Sequence, residues 1–476
     1  MAVAYDYGNE DDWAVRRPET VKQKKRRAKD LTWGAYGRRP MKVLAGVAFI
    51  DSVDRGILPG VLTKVQDDLN FGDGAAGVLG SVFVLMGFLA VLPAGYLADR
   101  YRRTRIIAVV LASWGAISAL NAGVRSYWQF LAVRASLGVG ETIDNPASAS
   151  LMADYYPAHV RGRAYAFTRV APIVGTAVGT ALGGLVGAIA GWRWAFLIVG
   201  VPGSLLALAM WRMKEPARGE SDGVEVAAPD PLLEPPLDGD GEGTVAVEER
   251  RGVRSLWADI RKCVDVRTLR SLMIGSAVAS GATAGLAFWA PAFYERHTSL
   301  GSGASAGVTG ALILIGALTG TYLGGLACDR LRSRYEGAAM LVAGTAQVVG
   351  ALALMASFLP TPLLFRMPAQ IVGVAFIVAG GPALAAMIAE VVPATIRGIA
   401  FSVTGFLGAI AGAASPLLIG VIADRFELIV DGEVKGHIAN AFLIVTPLVI
   451  IGGLVVLRGR RWVAADTARA AAELAA

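Results

Sequence analysis

Apolar residues run in long blocks through most of the chain, separated by short polar, glycine-rich or basic clusters. A block of about 20 apolar residues wound as a helix crosses a hydrocarbon layer of about 30 Å. The pattern predicts twelve such helices. Six lie at roughly 42–62, 75–98, 105–123, 127–153, 163–188 and 192–213, and six at roughly 268–293, 304–327, 337–358, 362–389, 398–422 and 438–457. This divides the chain into a basic tail (1–40), a first helical bundle (41–213), a linker (214–267), a second bundle (268–457) and a short tail (458–476). The linker changes character midway. Gly219 to Glu249 is rich in proline, glycine and acids and holds no Lys or Arg, a composition that cannot build a core. Further on, Val253, Leu256, Trp257, Ile260 and Val264 recur at helical spacing, which predicts an amphipathic helix lying in the membrane interface.

Composition agrees with a polytopic helical membrane protein. Hydrophobic residues make up 54% and charged residues 17%, against about 25% charged in soluble domains. The net charge of +7 would suggest nucleic acid in a soluble protein. Here the cations sit at alternate helix ends: Arg100, Arg102, Arg103 and Arg105, then Arg161 and Arg163, Arg330, Arg332 and Arg334, Arg397, and Arg458, Arg460 and Arg461. The opposite loops carry Asp67, Asp68 and Asp73, or Glu427, Asp431 and Glu433. Basic loops stay in the cytoplasm, so both termini are expected there, with the chain threaded through the plasma (inner) membrane. Lys22, Lys24, Lys25, Arg26 and Arg27 fit the same side, within reach of anionic membrane lipids. Only Cys263 and Cys328 are present, near expected cytoplasmic ends, so no disulfide is expected. His159, His297 and His437 lack metal-ligand spacing. No phosphate-binding loop and no nucleophile–base set is evident. The sequence therefore gives no reason to expect an enzyme, a cofactor, a metal or a nucleic-acid partner.

A repeat underlies the twelve blocks. Gly95-Tyr-Leu-Ala-Asp99-Arg100 after the second resembles Gly325-Leu-Ala-Cys-Asp329-Arg330 after the eighth. Pro157, Arg161 and Gly162 after the fourth match Pro393, Arg397 and Gly398 after the tenth. Two landmarks in the same order at nearly one offset imply two parallel halves of six helices. Together with Gly95-xxx-Asp99-Arg100-xx-Arg103 and Leu131-xx-Arg134-xx-Leu137-Gly138-Val139-Gly140, this resembles the major facilitator superfamily. The fold class implied is an all-α membrane protein of twelve transmembrane helices in two pseudo-symmetric six-helix bundles, expected as a monomer. Within it the chain is similar to the Spinster family. The matching pieces are Asp54-Arg55 with Gly60-Val61-Leu62, Gly138-Val139-Gly140-Glu141, Glu215-Pro216-x-Arg218-Gly219, Phe288-Trp289-Ala290-Pro291-Ala292-Phe293, and Val391-Val392-Pro393-Ala394-Thr395-Ile396-Arg397-Gly398. That resemblance implies transport of lysophospholipids or related lysolipids, coupled to protons in bacterial members.

The residues suggest chemistry of their own. Asp51, Asp54 and Arg55 fall on one face of the first span, and Arg134, Glu141 and Asp144 on one broad face of the fourth. Arg169 lies two turns into the fifth. Seven charges set into spans cost on the order of 15–20 kcal/mol before pairing, so a watery cavity between helices is expected to receive them. Asp51 and Glu141 are the expected proton carriers. Asp54 and Arg55 are expected as a standing pair that contacts substrate with Arg134, Asp144 and Arg169. The second half offers aromatics instead, with Trp289 and Phe293 expected against an acyl chain. Gly175, Gly179 and Gly183, with Gly316, Gly320 and Gly324, suggest a close-packed seam between the fifth and eighth spans along which the halves rock. Gly95, Asp99, Arg100, Arg103, Asp329 and Arg330 are expected as gating contacts. The combined expectation is a proton-coupled secondary transporter of an amphiphile working by alternating access. A small polar anion, sugar or drug on the same fold is the alternative, and a non-transporting receptor or scaffold is the alternative of another class.

Overall fold

The computed structural model describes residues 33, 36–217, 221, 253–393, 396–430 and 432–475 and, within these, all side chains except those of 88–100, 141–146, 158–159, 253–256, 258 and 471–475. The first bundle holds α1 (Arg39–Leu69), α2 (Asp73–Arg100), α3 (Arg103–Leu120), α4 (Tyr127–Tyr155), α5 (Ala158–Ile189) and α6 (Trp192–Trp211). Linker helix α7 (Val253–Asp265) leads to α8 (Arg267–His297), α9 (Ser302–Arg332), α10 (Ala338–Phe358), α11 (Leu363–Val391) and α12 (Arg397–Ala423). The last span is α13 (Ile438–Val445) and α14 (Pro447–Gly459), interrupted at Thr446, and is followed by α15 (Val463–Ala475). Lipid offers no partner to a bare peptide group, so spans of this composition close their hydrogen bonds internally as helices. Among the described residues nine helical segments are long and apolar enough to cross a membrane. α1 falls outside that set because Asp51, Asp54 and Arg55 interrupt its apolar run, and α2 and α4 fall outside it because their side chains are described over only part of their length.

Between α12 and α13 stands an antiparallel hairpin, β1 (Glu427–Val430) and β2 (Glu433–Gly436), with Val430 opposite Glu433. The acids Glu427, Asp431 and Glu433 by themselves imply only a loop here. The hairpin's signal was the Asp431-Gly432 pair between two short β-prone runs, a combination that favours a tight turn, and Gly432 takes φ +85°.

Glycines set the helix spacing. A Cβ at Gly175, Gly179 or Gly183 of α5 would run into the Phe49, Val53 or Ile57 carbonyl of α1. A Cβ at Gly138 of α4 would strike Phe83 of α2. The second half repeats both contacts: Gly285 of α8 lies on Ser415 of α12, and Gly320 and Gly324 of α9 lie on Ala375 and Ala379 of α11. The expected α5–α9 seam is therefore corrected. Both glycine rows bind partners inside their own half, and α5 meets α9 through a different row. That row is Ala177, Ala181, Gly184 and Ala188 against Ser302, Gly303, Ala306 and Gly310. Two positions along a helix is about 200° around it, so a row at spacing four identifies a close contact without naming its partner.

Candidate functional site

A cavity of about 730 Å³ opens between the halves. α1, α2 and α4 contribute Arg55, Leu58, Leu79, Phe83 and Arg134, while α8, α11 and α12 contribute Ser276, Ser280, Thr283, Phe288, Leu384, Ile388, Thr404 and a run of glycines and alanines. Its surface is predominantly apolar, with the two arginines on one side.

The charged faces of α1 and α4 meet here. Arg134 is 2% exposed, and its Nη1 donates to Asp54 Oδ2 at 3.4 Å. Asp54 Oδ1 also accepts from Ser118 Oγ of α3 at 2.8 Å. The rings of Phe130 and Phe196 flank the guanidinium, with centroids 5.6 and 4.9 Å from Cζ. Nε and Nη2 of Arg134 have no hydrogen-bond partner. Arg55 does not pair with Asp54, as the sequence suggested, but with Asp51, at 2.5 Å. The helix explains the correction. Asp51 lies one turn below Arg55 on the same face, whereas Asp54 is its chain neighbour and points about 100° away. Arg169 is exposed on α5 and does not line the cavity. Glu141 and Asp144 lie outside the described side chains, as do Gly95, Asp99 and Arg100.

The second wall also differs from expectation. Trp289 and Phe293 are fully buried and do not line the cavity. Trp289 Nε1 donates to the Pro416 carbonyl at 3.0 Å, locking α8 to α12. Phe293 packs among Phe358, Phe442 and His297. Phe288, one position before Trp289 and so turned by about 100°, is the aromatic that faces the cavity. The remainder of this wall is aliphatic, small or hydroxyl-bearing rather than aromatic.

The cavity is closed toward the face away from the ends Arg39 and Gly459. A Cβ at Gly77 or Gly80 of α2 would meet Pro416 or Phe288, so these helices touch directly. Above them runs a cross-half polar seal. Arg296 grips Asp73 with two bonds, Nη1 to Oδ2 at 2.6 Å and Nη2 to Oδ1 at 2.8 Å. The same guanidinium donates to the Gly436 carbonyl and to Gln66 Oε1. Asp424, just past α12, accepts from the backbone N–H groups of Asp73 and Gly74 at 3.1 and 2.7 Å, an anion at the start of α2. Thr63 Oγ1 donates to Glu295 Oε2 at 2.6 Å, and Lys435 Nζ to Asp67 Oδ1 at 3.1 Å. Burial pulls the Lys435 ammonium down, but Asp67 and Glu433 outweigh it and hold it above the usual lysine value.

On the opposite face the ion pairs seen among the described residues tie helices within a half. Arg103 is buried against Asp154, Glu215 (3.0 Å) and Ser150 Oγ (2.7 Å), joining α3, α4 and the segment after α6. Asp329 and Arg330 are exposed at the end of α9, where the ion pair seen is Arg332 with Glu390. The sequence reading missed Thr63, Gln66, Glu295, Arg296 and Asp424 as site residues, and read Asp73 only as a loop charge. For Asp73, Glu295, Arg296 and Asp424 the signal was charge placed at helix ends, which orientation alone does not require; Thr63 and Gln66 carry no such signal.

The model of the Major Facilitator Superfamily matches residues 44–416. Protein spinster of Drosophila melanogaster is 31% identical over 182 residues, which are 38% of this chain and only 30% of that protein's length. Protein spinster homolog 1 of Mus musculus is 30% identical over 410 residues, 81% of this chain and 72% of that protein. A bacterial homologue of the human lysosomal transporter Spinster, solved inward-facing and unoccupied, superposes with a TM-score of 0.75 at 20% identity, covering 91% of this chain and 98% of that one. Sugar and nucleoside transporters share the fold, among them a D-xylose–proton symporter at a TM-score of 0.68 and 18% identity, over 89% of this chain and 97% of that one. These relatives are transporters rather than enzymes, and the chain belongs to the major facilitator superfamily, within its Spinster family.

Proposed function

We propose that this membrane transporter carries lysophospholipids or similar single-chain amphiphiles by proton-coupled alternating access. The observation that carries the reading is the cavity itself: a largely apolar space between the halves, with Arg55 and Arg134 on one side. An acidic headgroup would sit against those arginines, and an acyl chain against Leu79, Phe83, Phe288 and Ile388. Arg134 supports the headgroup role because it is buried with two donor nitrogens unpaired. A substrate anion there would satisfy donors the protein leaves bare.

Proton coupling follows the same residues. Asp51 holds Arg55 and Asp54 holds Arg134, so a substrate anion drawing either arginine away would leave a carboxylate better able to take a proton. Asp51 and Glu141 are the proposed carriers. Asp144 and Arg169 remain proposed contacts for other states of the cycle. With basic loops inside, both termini are cytoplasmic, the sealed face is external, and the structure is the inward-open state in the plasma membrane. In proteoliposomes, uptake of labelled lysophosphatidylethanolamine should rise with an inward proton gradient and vanish in Arg134→Ala. Equal uptake with and without the gradient removes the coupling, and no uptake under either condition removes the substrate class.

A further inference from the structure

Hydroxyls inside membrane helices ordinarily turn back on the carbonyl one turn earlier, because a bare hydroxyl in an apolar setting is unfavourable. Ser136, Thr180, Ser204, Thr309, Thr321 and Ser402 all do so here. Ser276, Ser280 and Thr283 break the pattern. Their spacing of four and three puts them on one face of α8, and all three line the cavity. The Ser276 hydroxyl is buried without any partner. Opposite them α12 presents Gly405, Gly408 and Gly412. A Cβ at Gly405 would meet nothing within 4 Å, and one at Gly408 would first meet Ser280 Oγ at 3.5 Å. The glycines therefore leave room on the cavity side beside Ser280, the middle member of the row.

We infer that Ser276, Ser280 and Thr283 form a second polar subsite, which recognises a neutral hydrogen-bonding group on the substrate, a hydroxyl or ester next to its acidic headgroup. This deepens the amphiphile reading and rests on it. The division of labour follows from the side chains. Arg55 and Arg134 offer only donors and suit an anion, whereas a hydroxyl both donates and accepts and suits a neutral group. Among the described residues, none that lines the α8, α11 and α12 side of the cavity is charged. The row rises about 10 Å over seven residues. It can therefore hold the polar backbone of an amphiphile over a range of depths as the halves move.

The test uses the full chain in proteoliposomes and two probes of equal chain length. One is a monoacylglycerol phosphate, with a free hydroxyl and an ester; the other is an alkyl phosphate with neither. One or two hydrogen bonds at a net factor of roughly 2–10 each predict about a tenfold lower KM for the hydroxylated probe in the wild type. Ser276→Ala with Ser280→Ala and Thr283→Val, close in volume, should raise the KM of the hydroxylated probe until the two KM values come together. Thr283→Ser should keep the preference. If the triple variant does not fold, the single Ser280→Ala and Thr283→Val variants decide, each expected to reduce the preference about two- to threefold. Equal KM values in the wild type, or an undiminished preference in the variants, overturn the subsite and leave the amphiphile reading standing. Uptake of neither probe by the wild type overturns that reading and the subsite with it.

Discussion

In the first half, α1 lies on α5 through Gly175 and Gly179, and α2 meets α4 through Gly138. In the second, α8 lies on α12 through Gly285, and α9 on α11 through Gly320 and Gly324. The two frames are built alike, yet they present different groups to the shared cavity. The first presents guanidinium groups backed by Asp51 and Asp54, and the second hydroxyls and glycines among apolar side chains such as Leu384 and Ile388. Helix spacing is thus shared between the repeats, while the charged residues lining the cavity belong to one of them. Among the described residues the charges that line the cavity are thereby confined to one wall, and the other wall is left to hydroxyl, small and apolar side chains.

The sharpest way to break this contrast is at Arg134. Replacing it by alanine strands Asp54, which is 1% exposed, and should cost about 3–5 kcal/mol. Thermal unfolding in detergent should show a large drop in Tm that no single hydroxyl-to-alanine change on α8 approaches. An unchanged Tm would mean the pair does not hold the first half together. The shared frame is tested next, by Gly179→Val and Gly320→Val. Each forces a side chain into a facing backbone carbonyl, and each should cost roughly 1–3 kcal/mol. Markedly unequal losses would show that the halves are not framed alike.

The seal joining the halves gives a third measure. Asp73→Asn weakens the two-pronged grip of Arg296 and should shift the closed-to-open ratio of that face about tenfold, or roughly 1.4 kcal/mol. Spin-label distances between α2 and α12 report it directly, and no lengthening would assign the seal to the packing at Gly77 and Gly80 instead. The smallest effect is expected at Lys435. Its bond to Asp67 is partly exposed, so Lys435→Gln should cost under about 1 kcal/mol. Because the ammonium is held above its usual value, the bond persists through neutral pH and is lost only as pH climbs past that raised value. A loosening of the seal near neutrality must therefore arise elsewhere.

Much of this was legible in the chain. The apolar blocks predicted the spans, the repeated Gly95–Arg100 and Pro157–Gly162 landmarks implied two halves, and the spacing of Asp51, Asp54 and Arg55 marked a face that could not meet lipid. Partners were harder to read. Asp54 meets Arg134 across 80 positions, and nothing in either span says which acid an arginine will choose. Phe288 and Trp289 differ by one residue, so an aromatic stripe shows that α8 has a face without showing which neighbour takes it. Arg296 and Asp73 are 223 positions apart, at the ends of helices where charge is ordinary, and only the fold brings them together.

Gly436 has a consequence outside the membrane. Its carbonyl anchors Arg296, and a Cβ there would press on the Asp73 carboxylate, so the β-hairpin sits directly over the clasp between the halves. It is a surface element reachable by a large water-soluble reagent. An antibody fragment raised against the hairpin could pin the transporter shut without ever entering the bilayer, turning one four-residue strand into a handle for arresting the cycle.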